Sequence, residues 1–154
     1  ALAGYQYEAA EASFVLLVEK ILGKYKTSFD LINYKVINEQ PAIEGKVASA
    51  IIKIRVNGVT KIAASDGEGP VHAMDLALRA ALSEFYPDIA GVSLTDFKVR
   101  VLDSDKATAA KVRVLITSAD SADSWTTVGV SEDIIEASWI ALTDSIDYAL
   151  MRRK

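Results

Sequence analysis

"KVASAIIKIRVNGVTKIAAS", residues 46–65, decides the fold. Ala48, Ala50, Ile52, Ile54 and Val56 share one face of an extended chain. Ser49, Lys53 and Arg55 take the other, with Ile51 the exception. A period of two over that length reads as a half-buried strand. Asn57-Gly58 supplies two residues that accept positive φ, which a type I′ hairpin turn requires. "VTKIAAS" (59–65) is then the returning strand. A hairpin with one apolar face needs a cover, and the flanking sequence should provide it.

On the N-terminal side, "FDLINYKVIN" (29–38) is a further strand candidate, joined to the hairpin through "EQPAIEG". On the C-terminal side, "DGEGP" (66–70) marks a turn into a helix running from about Pro70 to Phe85, with Met74, Leu78, Ala81 and Phe85 as its buried stripe. The second half repeats this order. "LTDFKVRVLD" (94–103), "AAKVRVLITS" (109–118) and "WTTVGV" (125–130) read as strands, separated by the turns "DKAT" and "ADSADS". "SEDIIEASWIALTDSIDYALM" (131–151) is the closing helix, with stripe Ile135, Trp139, Leu142, Ile146 and Ala149. A shift of about 64 residues lays Ala73, Ala77 and Leu78 over Ala137, Ala141 and Leu142, with the strands about one residue out of step. The expected fold class is α+β: duplicated βββα units whose antiparallel sheets are covered by helices. Before them, residues 5–22 read as a helix with an apolar stripe of Phe14, Leu17, Val18 and Ile21, Gly23 as C-cap, and "KYKTS" as a linker.

Composition excludes several functions. The formal charge is −4 and the only basic cluster is the terminal "RRK", so a nucleic-acid footprint is lacking. The chain has no cysteine, which removes disulfides, thiolate metal sites and cysteine nucleophiles. Its longest apolar run, "FVLLV", is far short of the ~20 residues that cross a bilayer. The single histidine, His72, stands in the first turn of the central helix, where the helix dipole disfavours imidazolium, and reads as a solvated residue before it reads as a catalyst. "DSD" (103–105) and "DSADS" (120–124) lack the spacing of a calcium loop and are explained by Asp and Ser capping their own backbone. "GEG" lacks the third glycine of a dinucleotide fingerprint. No catalytic or metal-binding constellation is complete, and no cofactor is expected.

What remains is the backbone. Pro70 suits the first helical position, leaving the amides of Val71, His72 and Ala73 to face out of the helix mouth. Such an end receives anions, including a carboxylate, and Gly67 and Gly69 remove side chains from the approach. The plainer alternative is a strand-to-helix turn that needs glycine for its own geometry. The matching end of the second helix carries Ser131 as N-cap, then Glu132 and Asp133, and is neutralised by its own acids. One open mouth and one acidic mouth form a hypothesis for the two ends of a zwitterion.

"DGEGPVHAMDLALRAAL" and "DSWTTVGVSEDIIEASWIALTDSIDYAL" closely resemble the C-terminal regulatory domain of the 2-isopropylmalate synthase and citramalate synthase family. "TVGVSEDIIEASWIAL" is the most specific part and looks more like the citramalate branch. The resemblance implies an allosteric and dimerisation domain that senses isoleucine, or leucine in the sister branch, near a dimer interface and between the two βββα units. It places Gly67, Gly69, Pro70, Val71 and His72 at the ligand, with Val130, Ser131 and Glu132 from the second turn and Leu94 and Phe97 as pocket walls. It also implies that residues 1–28 are a linker helix from a catalytic barrel, and that 29–154 form the regulatory domain as repeats 29–90 and 91–154. The barrel and its metal-binding histidines are not in this sequence, so no synthase activity is expected of it. The expected partners are isoleucine or leucine, a second copy and the barrel, in the cytoplasm, with no nucleic acid or membrane. Two alternatives come from other classes: a free-standing enzyme built on His72 with Glu68, and a purely structural dimerisation module.

Overall fold

The computed structural model describes residues 11–23, 28–43, 45–102 and 111–152, and of 39–43 the backbone alone. It contains two antiparallel three-stranded sheets and three α-helices, in the α+β arrangement of duplicated βββα units behind an N-terminal helix. In chain order these are α1 (Glu11–Ile21), β1 (Asp30–Ile43), β2 (Lys46–Val56), β3 (Val59–Gly67), α2 (Pro70–Leu82), β4 (Ser93–Val101), β5 (Val112–Ala119), β6 (Ser124–Ser131) and α3 (Ile134–Met151). The chain divides into two compact units, Thr27–Ala90, and Ala1–Lys26 together with Gly91–Lys154.

In the first unit the hairpin forms as its sequence dictates. Asn57 and Gly58 take φ of 49° and 81°, the left-handed values of a type I′ turn, and Val56 faces Val59 across it. Ala48, Ala50, Ile52, Ile54 and Val56 are all buried. The cover is α2, which buries Ala73, Met74, Ala77, Leu78, Ala81 and Leu82. Each large aliphatic side chain so buried contributes about 1.5–3 kcal/mol.

In this unit three boundaries differ from expectation. β1 runs on through "EQPAI" to Ile43, with a register shift between Asn38 and Ile43. Pro41 has no N–H to donate, and β1 tolerates it because it is an edge strand. β3 extends through Asp66 to Gly67, which pairs with Ala48, so only Glu68 and Gly69 separate strand from helix. α2 ends at Leu82, with Ser83 as C-cap, and leaves Phe85 half-buried beyond it. A short 3₁₀ turn, Pro87–Gly91, follows and buries Ile89.

In the second unit, β6 meets α3 through alternate residues. The Trp125 indole N–H donates to the Ser145 carbonyl and Oγ, both at 3.1 Å, and the Thr127 hydroxyl donates to the Ala141 carbonyl at 2.7 Å. A Cβ at Gly129 would collide with the backbone of Ala137, so glycine is what lets strand and helix approach. The hydroxyls of Ser118 and Ser145 share a buried hydrogen bond of 2.6 Å. The β5–β6 turn is held as its composition suggested: Asp120 Oδ1 accepts from the N–H groups of Ala122 and Asp123. Those backbone donors hold the Asp120 carboxyl below its ordinary value. Arg152 closes the far end of α3 onto this turn, 3.3 Å from Asp123 Oδ2, with its guanidinium 5.1 Å from the Trp125 ring centre.

α1 belongs to this second unit, and its buried face is not the one expected. Phe14 is 49% exposed and Ile21 74% exposed, while Ala12, Ser13 and Leu16 are buried. Small residues let the helix approach β6 closely enough for Ser13 Oγ to accept from the Val128 N–H at 2.8 Å. β6 is an edge strand, so this bond occupies a donor that the ladder leaves over. Gly23 takes φ of 72° after the last turn, as a C-cap should. The expected helical residues 5–10, the "KYKT" of the linker, the "DSD" and "DKAT" segments and the first two residues, 109 and 110, of the expected second strand of the second half lie outside the described residues.

The duplication survives in the register. Ile52 pairs with Ala63, and Ile116 with Thr127, an offset of 64 on both strands. Tyr34 pairs with Ile52 and Phe97 with Ile116, so only the first strand of each unit is one residue out of step. Both first strands carry an irregularity at the matching place, Leu31/Asn33 and Leu94/Asp96.

Candidate functional site

The strand-to-helix turns are structural equivalents: at the offset of 64, Gly69 and Asp133 are the N-caps of α2 and α3. They end their helices differently. Asp133 accepts from the Ile135 N–H at 2.8 Å, so α3 is capped by a carboxylate at the positive end of its dipole. The expected N-cap, Ser131, lies two residues earlier, and its Oγ accepts from the Asp133 N–H at 3.1 Å instead. Gly69 has no side chain to cap with, and Pro70 follows at the first helical position.

At the α2 mouth the free donors are fewer than the sequence suggested. The Ala73 N–H bonds the Gly69 carbonyl at 3.0 Å, so it is not available. The amides of Val71 and His72 take no acceptor among the described residues. His72 is exposed, and its Nδ1 accepts from the Glu68 N–H at 3.1 Å. That bond assigns the ring proton to Nε2 and gives the histidine a turn-closing role. It engages the backbone of Glu68 rather than its carboxylate, so the pair is not arranged as acid and base.

The two glycines of this turn have different reasons. A Cβ at Gly67 would collide with the backbone of Ala73. Gly67 is therefore required by the fold of its own unit. Gly69 has φ of −164°, an extended value open to any residue, and nothing lies within 4 Å of where its Cβ would be. Neither its backbone nor its neighbours among the described residues ask for glycine.

Gly67, Gly69, Pro70, Val71 and His72 thus form one continuous mouth in the first unit. Val130 and Ser131, the last residues of β6, and Glu132 after them stand at the corresponding place in the second. Leu94, half-buried, and Phe97, exposed, lie on β4, where they pair with Ser118 and Ile116. Val130 and Ser131 pair with Arg113 and Val112 toward the other end of β5, so the sheet does not bring these two groups together. Two charged features carry no clear signal in the local sequence. Asp75 is buried on α2 with Arg79 Nη2 at 2.8 Å; burial pushes its carboxyl up, and Arg79 and His72 pull it back down. Arg113 is buried in mid-strand on β5, directly across from Val130. Its faint trace is the alternation of "KVRVLITS", which sets a cation against the pattern of its valine neighbours.

Two βββα units ending in unlike helix mouths define the class of this chain by its fold, and among the described residues no group of three or more His, Cys, Asp or Glu could hold a metal ion. The comparisons give the class a family. A family model described as the LeuA allosteric (dimerisation) domain matches residues 8–150, and the chain belongs to that family. It is 49% identical over 150 residues to an (R)-citramalate synthase of Aquifex aeolicus, covering 97% of this chain and 28% of the relative. It is 47% identical over 148 residues to an (R)-citramalate synthase of Geobacter sulfurreducens, covering 96% and 28%. A third, from Synechocystis, is 45% identical over 153 residues, covering 96% and 28%. The chain therefore spans little more than a quarter of the length of these relatives. Among the described residues, no helix is long and apolar enough to cross a membrane.

Proposed function

We propose that the chain is the feedback-sensing and dimerisation domain of a citramalate synthase-like acyltransferase, and that it binds a branched-chain amino acid, isoleucine ahead of leucine. The relatives that cover nearly all of this chain are named (R)-citramalate synthases, which favours that branch over the leucine-sensing one. The observation that carries the site is Gly69. It is a glycine that its own unit does not require, at an N-cap where the equivalent residue is an aspartate. A bare backbone beside the outward amides of Val71 and His72 suits the close approach of a small carboxylate-bearing molecule.

In this reading residues 1–28 lead from a catalytic barrel, and 29–154 form the sensor as repeats 29–90 and 91–154. The domain works as a homodimer in the cytoplasm and needs no cofactor, because the acetyl-transfer chemistry resides in the barrel. An effector acts at a distance by favouring one arrangement of the two chains over another. Isoleucine and leucine are isomers, so discrimination between them rests on where a methyl group meets the pocket, worth ~1–3 kcal/mol.

Calorimetric titration with isoleucine, leucine and valine tests the reading. Saturable isoleucine binding that is tighter than leucine binding, and abolished by Gly69→Leu with folding intact, is the expected result. Leucine preference moves the parent to the sister branch. A second reading, a dimerisation module without a ligand, is favoured by the apolar row Phe97, Val99 and Val101 exposed on β4; dimerisation with no heat from any of the three amino acids would establish it.

A further inference from the structure

We propose that Arg113 is a receptor for a carboxylate that does not belong to its own chain. Its side chain is buried, 7% exposed, and two guanidinium nitrogens, Nε and Nη1, have no hydrogen-bond partner among the described residues. A guanidinium cannot shed its charge by deprotonation, so burial without an acceptor is costly and calls for an anion.

The sheet shows where that anion would sit. Trp125, Thr127 and Gly129 face α3, so their cross-strand partners Ser118, Ile116 and Val114 do too. Arg113 lies on the opposite face, with Val130 across from it on β6 and Arg100 across from it on β4. Like charges directly opposite repel, and a bridging anion removes the repulsion. Lys98 and Asp96 share that face, and the Asp96 carboxylate is already engaged there, 3.8 Å from Lys98 Nζ. Among the described residues of this face, three cations against one acid, beside the last residues of β6, make a carboxylate the fitting ligand, since arginine presents a planar array of donors to it.

Two molecules can supply it: the amino-acid effector, in which case the inference rests on the function proposed above, or an Asp or Glu of a second copy. The Nε–H resonance of Arg113 in ¹⁵N-labelled protein reads the contact directly. On the effector arm, isoleucine shifts and protects that resonance, and Arg113→Gln weakens isoleucine binding roughly tenfold or more while the dimer persists in sedimentation. On the second-copy arm, the resonance is protected as protein concentration rises without isoleucine, and Arg113→Gln raises the dimer dissociation constant by a similar factor. A wild-type chain that binds no branched-chain amino acid sinks the effector reading but leaves the second-copy arm decisive. Arg113→Met serves as a folding control, and it should raise the melting temperature of the ligand-free monomer by removing an uncompensated charge. An Nε–H already protected in the ligand-free monomer, or an Arg113→Gln variant unchanged in both binding and dimerisation, overturns the proposal.

Discussion

Gly67 and Gly69 stand two residues apart and answer to different constraints. The first is glycine because the backbone of Ala73 occupies the space a Cβ would take. Gly67→Ala should therefore cost about 1–3 kcal/mol in urea unfolding, as overpacking does. Gly69→Ala meets nothing and keeps an extended backbone, so its stability should stay within about 0.5 kcal/mol of wild type. If the two variants proved equally destabilised, the distinction would fail. The sequence offered close approach and turn geometry for both glycines alike. It could not separate them, because what demands a glycine is a neighbour brought by the fold, not the residue beside it in the chain. Arg113 is illegible for the same reason: a cation within a strand pattern reads as a solvated face until its burial is known.

The elements that could be read in advance are those with local determinants. The β2–β3 hairpin was legible because its period and its Asn-Gly turn lie within one short stretch. α1 was legible as a helix, but its docking face was not. The most apolar stripe is the natural choice from local pattern, whereas contact with a strand edge is made through Ala12 and Ser13, which are small. Ser13→Ala should leave a buried Val128 N–H without its acceptor and lower stability by about 1–3 kcal/mol; Ser13→Thr, which keeps the oxygen, should recover part of it. The cap of α3 was misplaced by two residues because Ser131, Glu132 and Asp133 offer several capping side chains in a row. Asp133→Ala should cost about 1 kcal/mol, and Ser131→Ala less, as measured by thermal unfolding.

Across the whole molecule, the buried Asp75 and the half-buried Asp144, both on helices, tie stability to pH. Burial pushes the Asp144 carboxyl up to about 6 from an ordinary value of 3.8; Lys20 pulls it down and Asp147 pushes it further up. The folded chain then holds this proton more tightly than the unfolded chain, so the contribution of Asp144 to stability falls as pH rises from about 4 to about 6. Asp144→Asn should flatten that part of the profile and be the more stable protein at neutral pH, by on the order of 1–2 kcal/mol. Asp75, also raised, slopes the same way in both proteins, so the difference between them isolates Asp144. A parallel pair of stability curves would refute the assignment. The division of the chain has a temporal side as well. The unit Thr27–Ala90 is one uninterrupted stretch, while the other joins its first helix to residues made much later. Ser13 and the Val128 amide it accepts from are 115 residues apart. At ribosomal speeds of about 5–20 residues per second, α1 emerges and then waits roughly 6–23 s for the strand it docks against. In the last part of that interval the nascent chain carries a complete first unit beside a helix whose docking strand has not yet emerged, which leaves α1 open to chaperones.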